Sequence, residues 1–237
     1  MNNKSKFLLT PSMLTTRHGV VQQRLRIIAI DGPAASGKSS VAHAIARKLG
    51  FLFVSSGHFY RAIAWLSKQH QLDFSDASKI SILSGLESKA EDGVVHLFFE
   101  GKDLAKHLSD PVVNALVSVV AAMPAVRSFI FKALRALAKN NNLVIEGRDI
   151  GSVVFPETPW KFYLDASPEE RARRRAKESI IDTIAERDQS DRTRALAPLV
   201  IPRGAIVIDT TTMSIEEVLE KILMHLNHHE QFKSQVS

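Results

Sequence analysis

Residues 27–40 read IIAIDGPAASGKSS. IIAID is a short apolar run rich in β-branched residues that stops at a turn, the pattern of a strand buried on both faces of a parallel sheet. The next residues, Gly32-Pro-Ala-Ala-Ser-Gly37-Lys38-Ser39, fit G-x-x-x-x-G-K-[ST]. VAHAIARKL then sets Val41, Ile45 and Leu49 on one helical face, with Gly50 where a C-terminal cap belongs. Glycines let the backbone wrap so that several N–H groups point at one phosphate, and the helix N-terminus adds its positive end. Lys38 would reach the outer phosphates and Ser39 would ligate Mg²⁺. Gly32, Pro33, Ala34, Ala35, Ser36, Gly37, Lys38, Ser39 and Ser40 are therefore the candidate residues for binding ATP or GTP, with Ser39 the candidate metal ligand.

Outward from this loop, strand and helix signals alternate. FLFV (51–54) reads as a strand and HFYRAIAWLSKQ as a helix. Residues 72–142 form a long middle section. It holds KISILSGLESK, read as helical, and VVHLFFEGKDL, read as a hairpin turning at Glu100-Gly101. Two helical stretches divided near Pro124 follow. Strand signals return in LVIEG (143–147), KFYLD (161–165) and AIVID (205–209). Ser167-Pro-Glu-Glu170 and Ser214-Ile-Glu-Glu217 carry the cap residues and acids that open helices. This alternation predicts an α/β three-layer sandwich around a parallel sheet.

The chain has 237 residues, 45 % hydrophobic and 24 % charged, a globular profile. No apolar run approaches the roughly 18 residues of a membrane helix, and no membrane partner is expected. Absent cysteines exclude disulfides, thiolate metal sites and cysteine nucleophiles. A cytoplasmic location is the plain expectation. Residues 1–24 lack periodicity and read as a flexible N-terminal extension ahead of one domain over 25–237. The net charge of +6 suits either nucleic acid or small phosphorylated partners. The arginine clusters, RARRR at 171–175 and ERDQSDRTR at 186–194, carry no interleaved aromatics for base stacking, which counts against nucleic acid.

A phosphate loop alone says only that a nucleoside triphosphate binds. No Asn-Lys-x-Asp stretch reads guanine. Instead Arg61, Arg127, Arg148, Arg187 and Arg194 recur after predicted strands and in the late segment. Like charges about 4 Å apart repel by about 4 kcal/mol at an effective dielectric near 20, and guanidinium forks relieve this by pairing with phosphate oxygens. That favours a small kinase whose acceptor is itself a phosphate. ERDQSDRTR has two readings: a solvated helix face, or an arm that closes over a polyanion.

IAIDGPAASGKSSVA, SSGHFYRA, VVAAMPAVR, IEGRDIGSVVFP, LDASPEERARRR, ERDQSDRTRALAPL and VIDTTTMSIEEV together resemble the bacterial cytidylate kinases, a branch of the nucleoside monophosphate kinases among the P-loop kinases. The resemblance runs from about Arg26 to the end. It implies a P-loop fold with an acceptor-binding insertion near 72–142 and a mobile lid near 170–198. It also implies a monomer that uses ATP and Mg²⁺ to phosphorylate CMP and dCMP. Residue by residue it implies that Gly32 to Ser40 hold ATP, Ser56 and Arg61 contact the acceptor nucleotide, and Ser118, Arg127 and Asp149 read cytosine. Arg148 would help hold the acceptor phosphate, while Arg187, Asp191 and Arg194 close over ribose and the moving phosphoryl group. Lys38, Arg148, Arg187 and Arg194 would carry the catalysis.

The chain departs from the family pattern at three places. Ser55 stands where the family has Asp, Leu134 stands where it has Gln, and the segment between RARRR and ERD is short. Glu146 is either a carboxylate for Mg²⁺ or a structural acid holding a neighbouring loop. Arg174 and Arg175 either reach ATP or lie on a solvated face. The histidines show no metal-ligand spacing.

Overall fold

The computed structural model describes residues 25–73, 76–177 and 184–228. The extension expected over 1–24, the part of the lid at 178–183, and the side chains of Glu186 and Arg187 lie outside the described residues.

The strands are β1 (Ile27–Asp31), β2 (Leu52–Ser55), β3 (Leu86–Glu91), β4 (Val94–Phe99), β5 (Lys102–Asp103), β6 (Leu143–Gly147), β7 (Trp160–Asp165) and β8 (Ile206–Asp209). The helices are α1 (Lys38–Leu49), α2 (Ser56–Gln69), α3 (Pro111–Ala122), α4 (Pro124–Leu137), α5 (Pro168–Lys177), α6 (Ile184–Thr193) and α7 (Ile215–His228). They build an α/β sandwich around one sheet of order β3-β4-β2-β6-β1-β7-β8. From β2 to β8 all neighbours are parallel.

Every residue of β1 and β6 is buried, as their continuous apolar runs require of strands covered on both faces. One core layer joins Val41, Ile45 and the α7 residues Ile222 and Leu226 to the sheet. The other packs Ile63 and Leu66 of α2, Val113 of α3 and Ile130 of α4 on the opposite face. Leu134 is wholly buried there. Pro124 divides α3 from α4 as expected, and the two axes meet at 94°. Among the described residues no single helix is long and apolar enough to cross a membrane.

KISILSGLESK is not helical throughout. Ala77–Gly85 is a 3₁₀ helix, and Leu86 onward is strand β3, antiparallel to β4. The hairpin turns at Asp92 (φ 49°) and Gly93 (φ 76°), paired positive-φ positions that match the twist of the flanking strands. β3 is a charged, exposed edge. Such edges suit solvent, and their residues hide the strand signal. The Glu100-Gly101 turn forms as expected, at φ 49° and 76°, and β5 returns along β4. The capping box before α7 is complete, Ser214 N–H donating to Glu217 Oε2 at 2.7 Å and Glu217 N–H to Ser214 Oγ at 3.2 Å.

Candidate active site

The carboxyl ends of β1, β2 and β6 lie level, Asp31 opposite Gly147 and Ser55 opposite Glu146. In open α/β sheets ligands bind in the crevice beyond such ends. A cavity of about 210 Å³ opens there. One wall is the loop between β1 and α1, represented by Ala34, Ala35, Gly37, Lys38, Ser39 and Ser40. The facing wall takes Ser56 and Arg61 from α2, Ser118 from α3, Arg148 and Asp149 after β6, and Asp191 and Arg194 from the end of α6.

Gly32 has φ 149°, and a Cβ there would lie 2.0 Å from the Leu164 carbonyl oxygen, so the loop can leave β1 only through glycine. Gly32, Pro33 and Ser36 sit behind the cavity wall. Lys38 donates to the Pro33 carbonyl at 2.6 Å, spanning the loop it belongs to. Arg174 donates to Thr210 O at 2.6 Å and to Ala35 O at 3.4 Å, while Arg175 lines the cavity. These two arginines face the phosphate loop, not open solvent. Arg173 is the exposed member, paired with Glu170.

Arg127, buried in the first turn of α4, stands behind Asp149. It pairs with that carboxylate and donates to Ala121 O at 3.0 Å. Burial pushes the Asp149 carboxyl up and Arg127 pulls it back, with a net rise. Arg61 donates to Asn114 Oδ1 at 3.2 Å. Arg148 donates to Asp191 at 2.8 Å, and Arg194 lies 3.4 Å from the other oxygen of Asp191. Asp188, one of the residues open to a solvated reading, is instead buried and bonded to Arg171 at 2.5 Å. Arg192 is the residue that faces outward.

Glu146 lines the cavity and accepts the Ser55 hydroxyl at 2.5 Å. Burial alone would raise its carboxyl, but Lys38, Ser55, Arg148 and His58 outweigh it and hold the group below its ordinary value. A persistent buried anion beside the phosphate-loop lysine is suited to a cation. Mg²⁺ draws most of its ligands from water and phosphate, so the Ser39 hydroxyl and the Glu146 carboxylate on one cavity fit such an ion. Among the described residues no group of three or more His, Cys, Asp or Glu forms a self-sufficient metal cage.

Tyr60 and Gly147 line the same cavity and were not singled out from the sequence. Tyr60 lies four residues after Ser56 on α2, a spacing that puts both on one helical face. A Cβ at Gly147 would come within 2.5 Å of Ser56 Oγ.

A phosphate loop facing half-buried arginines across one crevice defines the class of P-loop phosphotransferases. The sequence profile of the cytidylate kinases matches residues 28–228. The chain is 40 % identical to the cytidylate kinase of Caldanaerobacter subterraneus over 82 % of its own length and 92 % of that protein. It is 40 % identical to that of Pelotomaculum thermopropionicum, over 84 % and 95 %. With the cytidylate kinase of Stutzerimonas stutzeri the identity is 40 % over 83 % and 93 %. The chain belongs to the cytidylate kinase family.

Proposed function

We propose that this chain transfers the γ-phosphoryl group of ATP to CMP and dCMP, giving CDP or dCDP and ADP. The observation that carries the reading is a single cavity shared by Lys38 and Ser39 of the phosphate loop and by Arg61, Arg148, Asp149 and Arg194 of the facing wall.

Loop N–H groups and Lys38 bind the donor phosphates. Arg61 and Arg148 hold the acceptor phosphate, whose oxygen is the nucleophile, so no general base is demanded. Arg187 and Arg194 close over the phosphoryl group in flight, and Asp191 accepts from ribose hydroxyls. The work is positioning and charge neutralisation in a site shielded from water. Ser39 and Glu146 would hold Mg²⁺, which neutralises donor phosphate charge when bound.

Cytosine offers an N4 amino donor and the N3 and O2 acceptors. Asp149 accepts from the amino group, while Ser118 and Arg127 donate. Uracil turns a carbonyl toward Asp149, setting acceptor against acceptor and leaving the oxygen that would accept from N4 without its donor, a loss of about 1–3 kcal/mol. The enzyme acts as a monomer in the cytoplasm.

The test is ADP release from ATP and Mg²⁺ with CMP, dCMP, UMP, AMP and GMP offered singly. Turnover confined to CMP and dCMP supports the reaction and the base-reading residues. Equal turnover with UMP removes the role of Asp149. Absence of turnover despite ATP binding overturns the kinase reading.

A further inference from the structure

Asp31 is the last residue of β1 and wholly buried. Its carboxylate lies one residue before Gly32, where the phosphate loop begins, yet it is not turned toward the loop. Oδ1 accepts the backbone N–H of Ile150 at 2.8 Å and Oδ2 accepts that of Gly151 at 2.7 Å. Those two N–H groups open a single π-helical turn, Ile150–Val154, whose first donors have no partner within the turn. Asp149 immediately precedes it at φ −146°, ψ 22°, and its carbonyl accepts from Val153 and Val154 at 2.9 and 3.1 Å. Asp149 has no side-chain cap of its own on this turn. A carboxylate 119 residues away in sequence supplies the cap instead.

Burying a carboxylate is costly unless its oxygens are bonded, and no residue makes an ion pair with Asp31 among the described residues' salt bridges. A neutral core side chain could fill the volume. What the carboxylate uniquely provides is two acceptors aimed at consecutive amides, fixing the two peptide planes that follow Asp149. Gly151 is hemmed in from the other side, where a Cβ would meet Lys161 and Pro202 at 3.2 Å, so the turn has little room to settle elsewhere.

We propose that Asp31 is a positioning residue for acceptor recognition, clamping the turn behind Arg148-Asp149 so that the acceptor site is set in register with the phosphate loop Asp31 itself begins. This rests on the reading of Asp149 as the cytosine-facing carboxylate.

The experiment is a double-mutant cycle between Asp31→Asn and Asp149→Asn, reading KM for CMP, the CMP-over-UMP ratio of kcat/KM, and equilibrium binding of ATP. Asp31→Asn keeps the shape, retains one acceptor and turns an amide N–H against a backbone N–H. For the single variant the expected result is a rise in KM for CMP of about tenfold or more and a comparable fall in the CMP-over-UMP ratio, with ATP affinity within about threefold. In the Asp149→Asn background the same change should add less than about twofold, because it acts through the residue already altered. Multiplying effects, or equal losses of CMP and ATP affinity, overturn the proposal. Should Asp31→Asn not fold, Asp31→Ser takes its place, and failure of both to fold makes Asp31 a folding residue and overturns the positioning role. If Asp149→Asn alone leaves CMP selectivity intact, the fault lies in the cytosine reading. If it abolishes selectivity while Asp31→Asn does nothing, the fault lies with Asp31.

Discussion

Arg148 donates through Nε to Asp191 Oδ2 at 2.8 Å, tying the loop after β6 to the end of α6. Arg194 approaches the other oxygen of the same carboxylate at 3.4 Å. One buried aspartate thus bridges two guanidiniums that the proposed reaction needs on phosphate. Burial tends to lower the Arg148 pKa, but Asp191 and Glu146 outweigh it and raise it, so the group stays charged.

Asp191→Ala leaves both arginines without this partner in a site of low dielectric, where breaking a buried pair is strongly unfavourable. The expected outcome is a fall in kcat of about 10²-fold with ATP affinity changed less than about threefold. Steady-state kinetics beside an ATP titration check this, and unchanged kcat removes Asp191 from the proposed chemistry.

Asp149 and Arg127 form a buried pair, so two substitutions separate recognition from stability. Asp149→Asn keeps an acceptor for Arg127 and should lower kcat/KM for CMP about 10²-fold while sparing ATP. Asp149→Ala strands the Arg127 charge and should also cost about 3–5 kcal/mol of stability. Kinetics with CMP and UMP, and urea unfolding of both variants, test the distinction.

The phosphate loop and the central strands were legible because their signals are local: glycine spacing for the loop, continuous apolar runs for β1 and β6. The edge strand β3 was not, since LESKAE lies exposed and carries no alternation a solvent-side reading could detect. Its pairing with β4 depends on a neighbour, not on its own residues. Asp188 illustrates the same limit within the site. An acid between basic residues on a helix looks solvated, and only the fold brings Arg171 to it. Asp31 was invisible for the same reason, its partners lying 119 and 120 residues away.

Ser55 donates its hydroxyl to Glu146 at 2.5 Å. Glu146 is held below its ordinary value of 4.5, so its contribution to stability is present above about 4.5 and lost as pH falls through the lower folded value. Ser55→Ala removes one of the groups that hold it down. At pH 7 the variant should be less stable by about 1–3 kcal/mol, and the gap should close on acidification. Urea unfolding at several pH values checks this, and a gap independent of pH removes Glu146 from the explanation.

Asp31 makes the opposite prediction. Burial, the first and largest influence, together with the nearby Asp149, outweighs the two backbone N–H groups and Lys38 and raises its pKa from 3.8 to about 7. A raised carboxyl favours the folded state while protonated. That contribution is full below about 3.8 and is lost as pH rises to about 7. Wild-type stability measured against Asp31→Asn, which cannot ionise, should therefore decline between pH 5 and pH 7 and level off above. A shift of this size corresponds to at most about 4 kcal/mol over the whole range. Paired urea unfolding curves at half-unit pH steps measure it. A difference flat across this range would show that the two accepted N–H bonds and Lys38 offset burial and hold the Asp31 carboxyl at or below its ordinary range.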